Sequence, residues 1–149
     1  MGKTTRRQIE APPSRFFRPR LHPQAVRHLH LLHVMLLHDI ASGHATEHTL
    51  WEFVAMAFTW SRTAELLGLG EPEMAPQLEL ATRLVERWAA TGRVEYVGPE
   101  YDVARVGTIV MDQLAERTDA TTARDASHWS EGCLSVLRAS KGSSVRVAA

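Results

Sequence analysis

Apolar side chains recur three and four residues apart over most of the chain, the period of helices with one buried face. The clearest run is Leu50, Phe53, Ala57, Trp60, Ala64 and Leu67. It is bounded by Thr46, an N-cap residue type with Glu47 in the following turn, and by Gly68. A third helix is predicted from Glu71 or Pro72 to the residue before Gly92, with Met74, Leu78, Ala81, Val85 and Trp88 along one side. Pro76 falls within its first turn or so, where a missing amide costs least. A fourth helix covers roughly Glu100 to Arg117, with Val103, Gly107, Val110 and Leu114 inward. A mid-helix glycine costs about 1 kcal/mol relative to alanine, so Gly107 points to close approach by a neighbouring helix. A fifth helix runs from Ala120 to about Ala139 with Ala126, Trp129, Cys133 and Val136 inward. Residues 140–149 are small and polar and read as a frayed tail. Arg93 to Val97 is β-prone and ends at Gly98-Pro99, as one arm of a small hairpin or an extended link would.

The first helix differs from the rest. Pro23 suits its first turn and Gly43 the position past its end. At 100° per residue, Val26, Leu29, Leu36, Leu37 and Ile40 share one sector, while Leu31, Val34 and Met35 lie well away from it. A helix with two apolar faces is either central in its bundle or half of an interface. The whole pattern predicts an all-α bundle of about five helices over residues 21–139, with at most one short β element between helices 3 and 4.

Residues 1–20 break the pattern. Lys3, Arg6, Arg7, Arg15, Arg18 and Arg20 stand against one acid, Glu10, and Pro12, Pro13 and Pro19 discourage regular structure. The expectation is a flexible basic arm. Its Arg15-Phe16-Phe17-Arg18-Pro19-Arg20 run combines guanidinium groups, which suit phosphates, with rings that can stack on bases. Arg6, Arg7, Arg15, Phe16, Phe17, Arg18 and Arg20 are therefore the candidate nucleic-acid contacts. The competing reading has the two phenylalanines tucked onto the helical domain and the arginines solvated.

The 149 residues fit one domain, and 44% hydrophobic and 23% charged residues are ordinary globular values. A formal net charge of zero excludes a uniformly basic nucleic-acid binder but not a local basic patch. Cys133 is the only cysteine, so no intramolecular disulfide can form and a reducing compartment is expected. No apolar leader-type run opens the sequence, and the stretch from Leu29 to Ile40 is too short and too polar to span a membrane. The expected location is the cytoplasm.

Seven of the eight histidines lie between His22 and His48. His44 and His48, four apart, have a chelating spacing, and His30 and His33 are three apart. His38-Asp39 resembles the paired ligand of metal-dependent phosphohydrolases that carry a His-Asp dipeptide. That family also needs further His and Asp ligands, which the sequence does not assign. The simpler reading makes His33 a hydrogen-bonded core residue and leaves the others exposed, with no metal and no cofactor. Cys133 lies on an apolar helix face, with no nucleophilic partner at a useful spacing, and no phosphate-binding glycine loop is present. The segment from Ser61 to Ala81 has the outline of a helix-turn-helix, with small Ala64 and Gly68 at the corner. Its second helix, however, opens with Glu71, Glu73 and Glu79, which phosphates repel.

From Leu21 to about Leu137 the chain resembles small helical bacterial proteins of mobile or accessory gene sets, some of them labelled Fis-type transcriptional regulators. The segments that carry the likeness are LHPQAVRHL, FTWSRTAELL, EMAPQLELATRLVERW and GPEYDVARVGTIVMDQLAERTD. The resemblance implies a regulatory role and no catalytic residues; the acidic stretch from Glu71 to Glu79 departs from the basic recognition helix that such a label requires. The leading expectation is a non-enzymatic regulatory or accessory protein that binds a protein partner or itself through Leu31, Val34 and Met35, with nucleic acid a candidate for the arm. The alternatives are an inhibitor or adaptor that binds protein only, and a metal-dependent hydrolase built on His38-Asp39.

Overall fold

Five helices follow one another along the chain in a computed structural model that describes residues 19–148, with side chains through residue 140. They are α1 (Pro23–Ser42), α2 (Glu47–Leu67), α3 (Glu71–Thr91), α4 (Glu100–Arg117) and α5 (Ala120–Ala148). Their ends follow local chemistry. His22 accepts the amide of Gln24 through Nδ1 at the start of α1. Thr46 and Thr49 cap α2 reciprocally, each hydroxyl accepting the other's backbone N–H. Gly43, Gly68 and Gly92 end α1, α2 and α3 in the left-handed conformation that glycine adopts at least cost. Residues 93–97 form a link without regular secondary structure, and no strand occurs among the described residues. Among the described residues the one β-type pairing is an isolated antiparallel bridge between Arg20 and Asp119.

α2 is the central helix. Leu50, Phe53, Ala57, Trp60 and Ala64 are buried as the sequence predicts, but so are Trp51, Val54, Met56, Ser61 and Thr63 around its other sides. It packs mainly on α5 and α3, while α1 packs mainly on α4. α1 is therefore peripheral: Leu36, Leu37 and Ile40 face the core, and its second apolar face is left outward.

Gly107 has the neighbour that its position predicts. The side chain of Gln77, on α3, crosses α4 directly over it, and Gln77 Nε2 donates to the Val103 carbonyl at 2.8 Å. A Cβ on residue 107 would overlap the Gln77 amide.

Two expected inward faces are corrected. On α5 the buried residues are Thr122, Ala126, Ser130 and Leu134, so of the predicted set only Ala126 is fully inward. Trp129 is at the rim, Cys133 is half-buried, and Val136 is 73% exposed. The reason is Ser130, whose hydroxyl donates to the Ala55 carbonyl at 3.1 Å and lets α5 lie close on α2 along a small, polar line. Trp129 instead packs edge-on against Phe58, with Arg62 over its ring. On α4, Val103 and Val110 are half-buried; Ala104, Thr108, Met111 and Ala115 take the inward positions. α5 also continues to Ala148, past the end expected near Ala139.

Candidate docking face and the histidine behind it

α1 and α4 lie side by side, held by polar groups at their seam. His33 is fully buried, and both of its ring nitrogens are engaged. The Trp60 indole N–H donates to His33 Nε2 at 2.9 Å. Nε2 is thus an acceptor, so the proton sits on Nδ1, which donates to Asp112 Oδ1 at 2.7 Å. The Trp60 ring also meets the imidazole edge-on. Burial pushes the His33 pKa below its ordinary 6.5, and the hydrogen bond to Asp112 offsets this only in part. Charging the ring would place a second N–H against that of Trp60. His30, one turn earlier and half-exposed, lies 3.7 Å from Glu116. His33 facing Asp112 and His30 facing Glu116 fix α1 and α4 as antiparallel.

Outward from this seam, α1 carries Leu31 at 58% exposure, Met35 at 52% and Val34 at 40%, with Leu32 similarly exposed. Val106 and Ile109 are exposed on α4. From His28 to His38 there is no Asp, Glu, Lys or Arg. A solvent-facing helix ordinarily carries charge on its outer side; here eleven residues carry none, and four large apolar side chains among them are exposed.

The remaining candidates are dispersed. Arg6, Arg7, Arg15, Phe16, Phe17 and Arg18 lie outside the described residues. Arg20 is exposed and paired through its backbone with Asp119, at the α4–α5 corner. His38 is exposed and Asp39 half-exposed at the last turn of α1. His44 bonds to Ser42, and His48 lies 3.2 Å from Glu52, so the two do not converge. Among the described residues no group of three or more His, Cys, Asp or Glu side chains is arranged to hold a metal ion. Glu71, Glu73 and Glu79 are all exposed on α3.

Hollows of the described surface include two near these elements. One of about 280 Å³ lies between α1, α2 and α5, lined by Leu29, Leu32, His33, Met56 and Trp60. Another of about 360 Å³ lies where the α2–α3 corner meets the end of α4, with Glu73, Glu116 and Arg117 at its edge. Thr59, Ser127 and Glu52 also line the first, but His33 there has both ring nitrogens engaged, by Trp60 and Asp112.

Sequence reasoning missed one polar cluster altogether. Arg87, on α3, donates two hydrogen bonds to the Glu100 carboxylate, at 2.7 and 2.9 Å, and one to the Glu95 carbonyl. Val97 N–H adds a bond to Glu100 Oε1 at 2.8 Å. These contacts hold Glu100 below the usual carboxylate range, Arg87 being the larger cause. The cluster ties the 93–97 link to α3 and α4. The signal available was an acid at the first position of a helix after Gly98-Pro99.

No helix among the described residues is long and apolar enough to cross a membrane. Compared with protein-family models, with curated proteins and with solved structures, the chain finds no match.

Proposed function

We propose that this chain is a non-enzymatic regulatory or accessory protein that acts by binding, and that the outward face of α1 is its docking surface. The observation that carries the reading is the uncharged stretch from His28 to His38 with Leu31, Val34 and Met35 exposed on a helix whose other face already serves the core. The surface fits an α-helix with an apolar stripe of its own, because side chains three and four apart form a ridge that a second helix can straddle. The state of His33 supports a binding role over catalysis: with one ring nitrogen accepting from Trp60 and the other donating to Asp112, neither is left for a substrate or a metal.

The test is the size of the protein in an extract of its native cell. The chain should migrate in an assembly larger than its 16.7 kDa monomer, and Val34→Glu with Met35→Glu should release it as a monomer of unchanged helical content. Wild-type protein that migrates as a monomer in the extract overturns the reading.

A further inference from the structure

The outward face of α1 has a symmetry that its inward face lacks. Gln24, His28, Leu31, Met35, His38 and Ser42 are all exposed. Their separations run four, three, four, three, four, the spacing of a coiled-coil seam. The series reads the same from either end, and its midpoint is residue 33. It is also chemically matched about that midpoint. Leu31 and Met35, both large and apolar, are two residues from it; His28 and His38 are five; Gln24 and Ser42, both small or medium uncharged polar residues, are nine.

Resting on the reading of α1 as the docking face, we propose that its occupant is α1 of a second copy of this chain, packed antiparallel about a two-fold axis at residue 33. In that arrangement Leu31 of each protomer lies against Met35 of the other, His28 against His38, and Gln24 against Ser42.

A two-fold interface must be complementary to itself, and three features make this face so. Two apolar layers sit at the centre, where exclusion of water is most complete, and the polar layers fall outside them. The histidine layers set the register. Sliding the helices by one turn would place an imidazole against the leucine–methionine layer and leave its ring nitrogens without water, the device by which polar seam residues fix alignment in paired helices. The flanks also agree. In antiparallel helices related by such an axis, each flank meets its own copy. Val34 then meets Val34 on the flank next to α4, and Leu32 meets Leu32 on the other. Arg27 and Asp39, the formal charges that bound the uncharged stretch, lie on opposite flanks, where alanines face them: Ala41 opposite Arg27 and Ala25 opposite Asp39. No like charges are opposed.

The register can be tested on the purified full-length chain. Sedimentation equilibrium should give a species of twice the 16.7 kDa chain mass. Because each seam residue occurs twice in the interface, Leu31→Glu or Met35→Glu should raise the dissociation constant by about a hundredfold or more. Both residues are exposed in the single chain, so the monomer's circular dichroism and melting should be unchanged. In a Cys133→Ser background, Val34→Cys should close to a covalent dimer under mild oxidation, whereas Val136→Cys, exposed on α5, should not. A monomer at every concentration, a dimer indifferent to Met35→Glu, or a dimer in which Val34→Cys fails to close overturns the proposal. A monomer when pure, alongside a large α1-dependent assembly in the native extract, overturns the second copy alone and leaves binding through α1 in place.

Discussion

Replacing Gly107 by alanine should destabilise the protein, although helix propensity alone predicts the reverse. Alanine in place of a mid-helix glycine stabilises a helix by about 1 kcal/mol, and the φ of Gly107 is not in the left-handed region, so the backbone sets no obstacle. The obstacle is Gln77. Its side chain is fully buried across α4, and a methyl group at residue 107 would overlap the amide carbon, oxygen and nitrogen together. Gln77 would have to swing away from the Val103 carbonyl, breaking the 2.8 Å bond. Leaving a buried donor or acceptor unpaired costs about 1–3 kcal/mol, and residual crowding in a filled core adds about 1–3 kcal/mol. Set against the propensity gain, the net loss is about 1–5 kcal/mol. Urea unfolding followed by circular dichroism measures it directly. The decisive variant is the double one. Gln77 Oε1 has no hydrogen-bond partner among the described residues, so Gln77→Ala removes an unpaired polar atom as well as the obstacle. In the Gln77→Ala background, Gly107→Ala should turn from a loss into a gain of up to about 1 kcal/mol, the propensity term alone. If Gly107→Ala is neutral or stabilising in the wild type, or costs the same in both backgrounds, Gln77 is not what holds residue 107 as glycine.

Three further outcomes are expected. Since burial lowers the folded pKa of His33 beneath its ordinary 6.5, the unfolded chain takes up that proton first; the stabilisation is complete above about pH 6.5 and is lost as pH falls from there through the folded value. Chemical unfolding at stepped pH should show this loss, and His33→Gln, which cannot charge, should remove its share of the slope; a slope unchanged by the substitution excludes His33 as its source. Glu100→Gln should cost about 2–4 kcal/mol, because it leaves the Arg87 guanidinium without its paired charge at a largely buried site. In the wild type the Glu100 contribution should be present above pH 4.5 and lost as pH falls through its lowered folded pKa; a Glu100→Gln protein as stable as wild type at pH 7 refutes both statements. Thermal unfolding should be the same with EDTA as with added zinc, and a melting temperature raised by stoichiometric zinc and lost in His38→Ala would point to a metal site at the last turn of α1.

The helices were legible because their ends are written locally. Pro23 and Gly43 bound α1, Thr46 and Gly68 bound α2, and Gly92 ends α3. The two faces of α1 were legible for a related reason, since angular spacing alone separates Leu31, Val34 and Met35 from Leu36, Leu37 and Ile40. Periodicity did not show which helix would occupy the centre. That depends on α2 having small or apolar residues on all sides, such as Ala57, Ser61 and Ala64, so that α3 and α5 can both approach. The face of α5 was misread because hydrophobicity favours Trp129 and Cys133, whereas Ser130 fits closer to α2 and has its hydroxyl satisfied by Ala55. The Trp60–His33–Asp112 chain was out of reach for a physical reason: its partners are far apart in sequence, 79 residues in the case of His33 and Asp112, and no local preference encodes which distant groups will meet.

The packing of α1 against α4 also sets a timetable for synthesis. His33 leaves the ribosome 79 residues before the carboxylate that receives its proton. At about 5–20 residues per second, that gap lasts on the order of 4–16 s, against microseconds for a helix to form. Through that interval the nascent α1 has apolar side chains on two sides and its main neighbour on neither. The period of greatest exposure to chaperones, or to another nascent chain, is therefore set by the order of the helices along the message and not by how fast any of them folds.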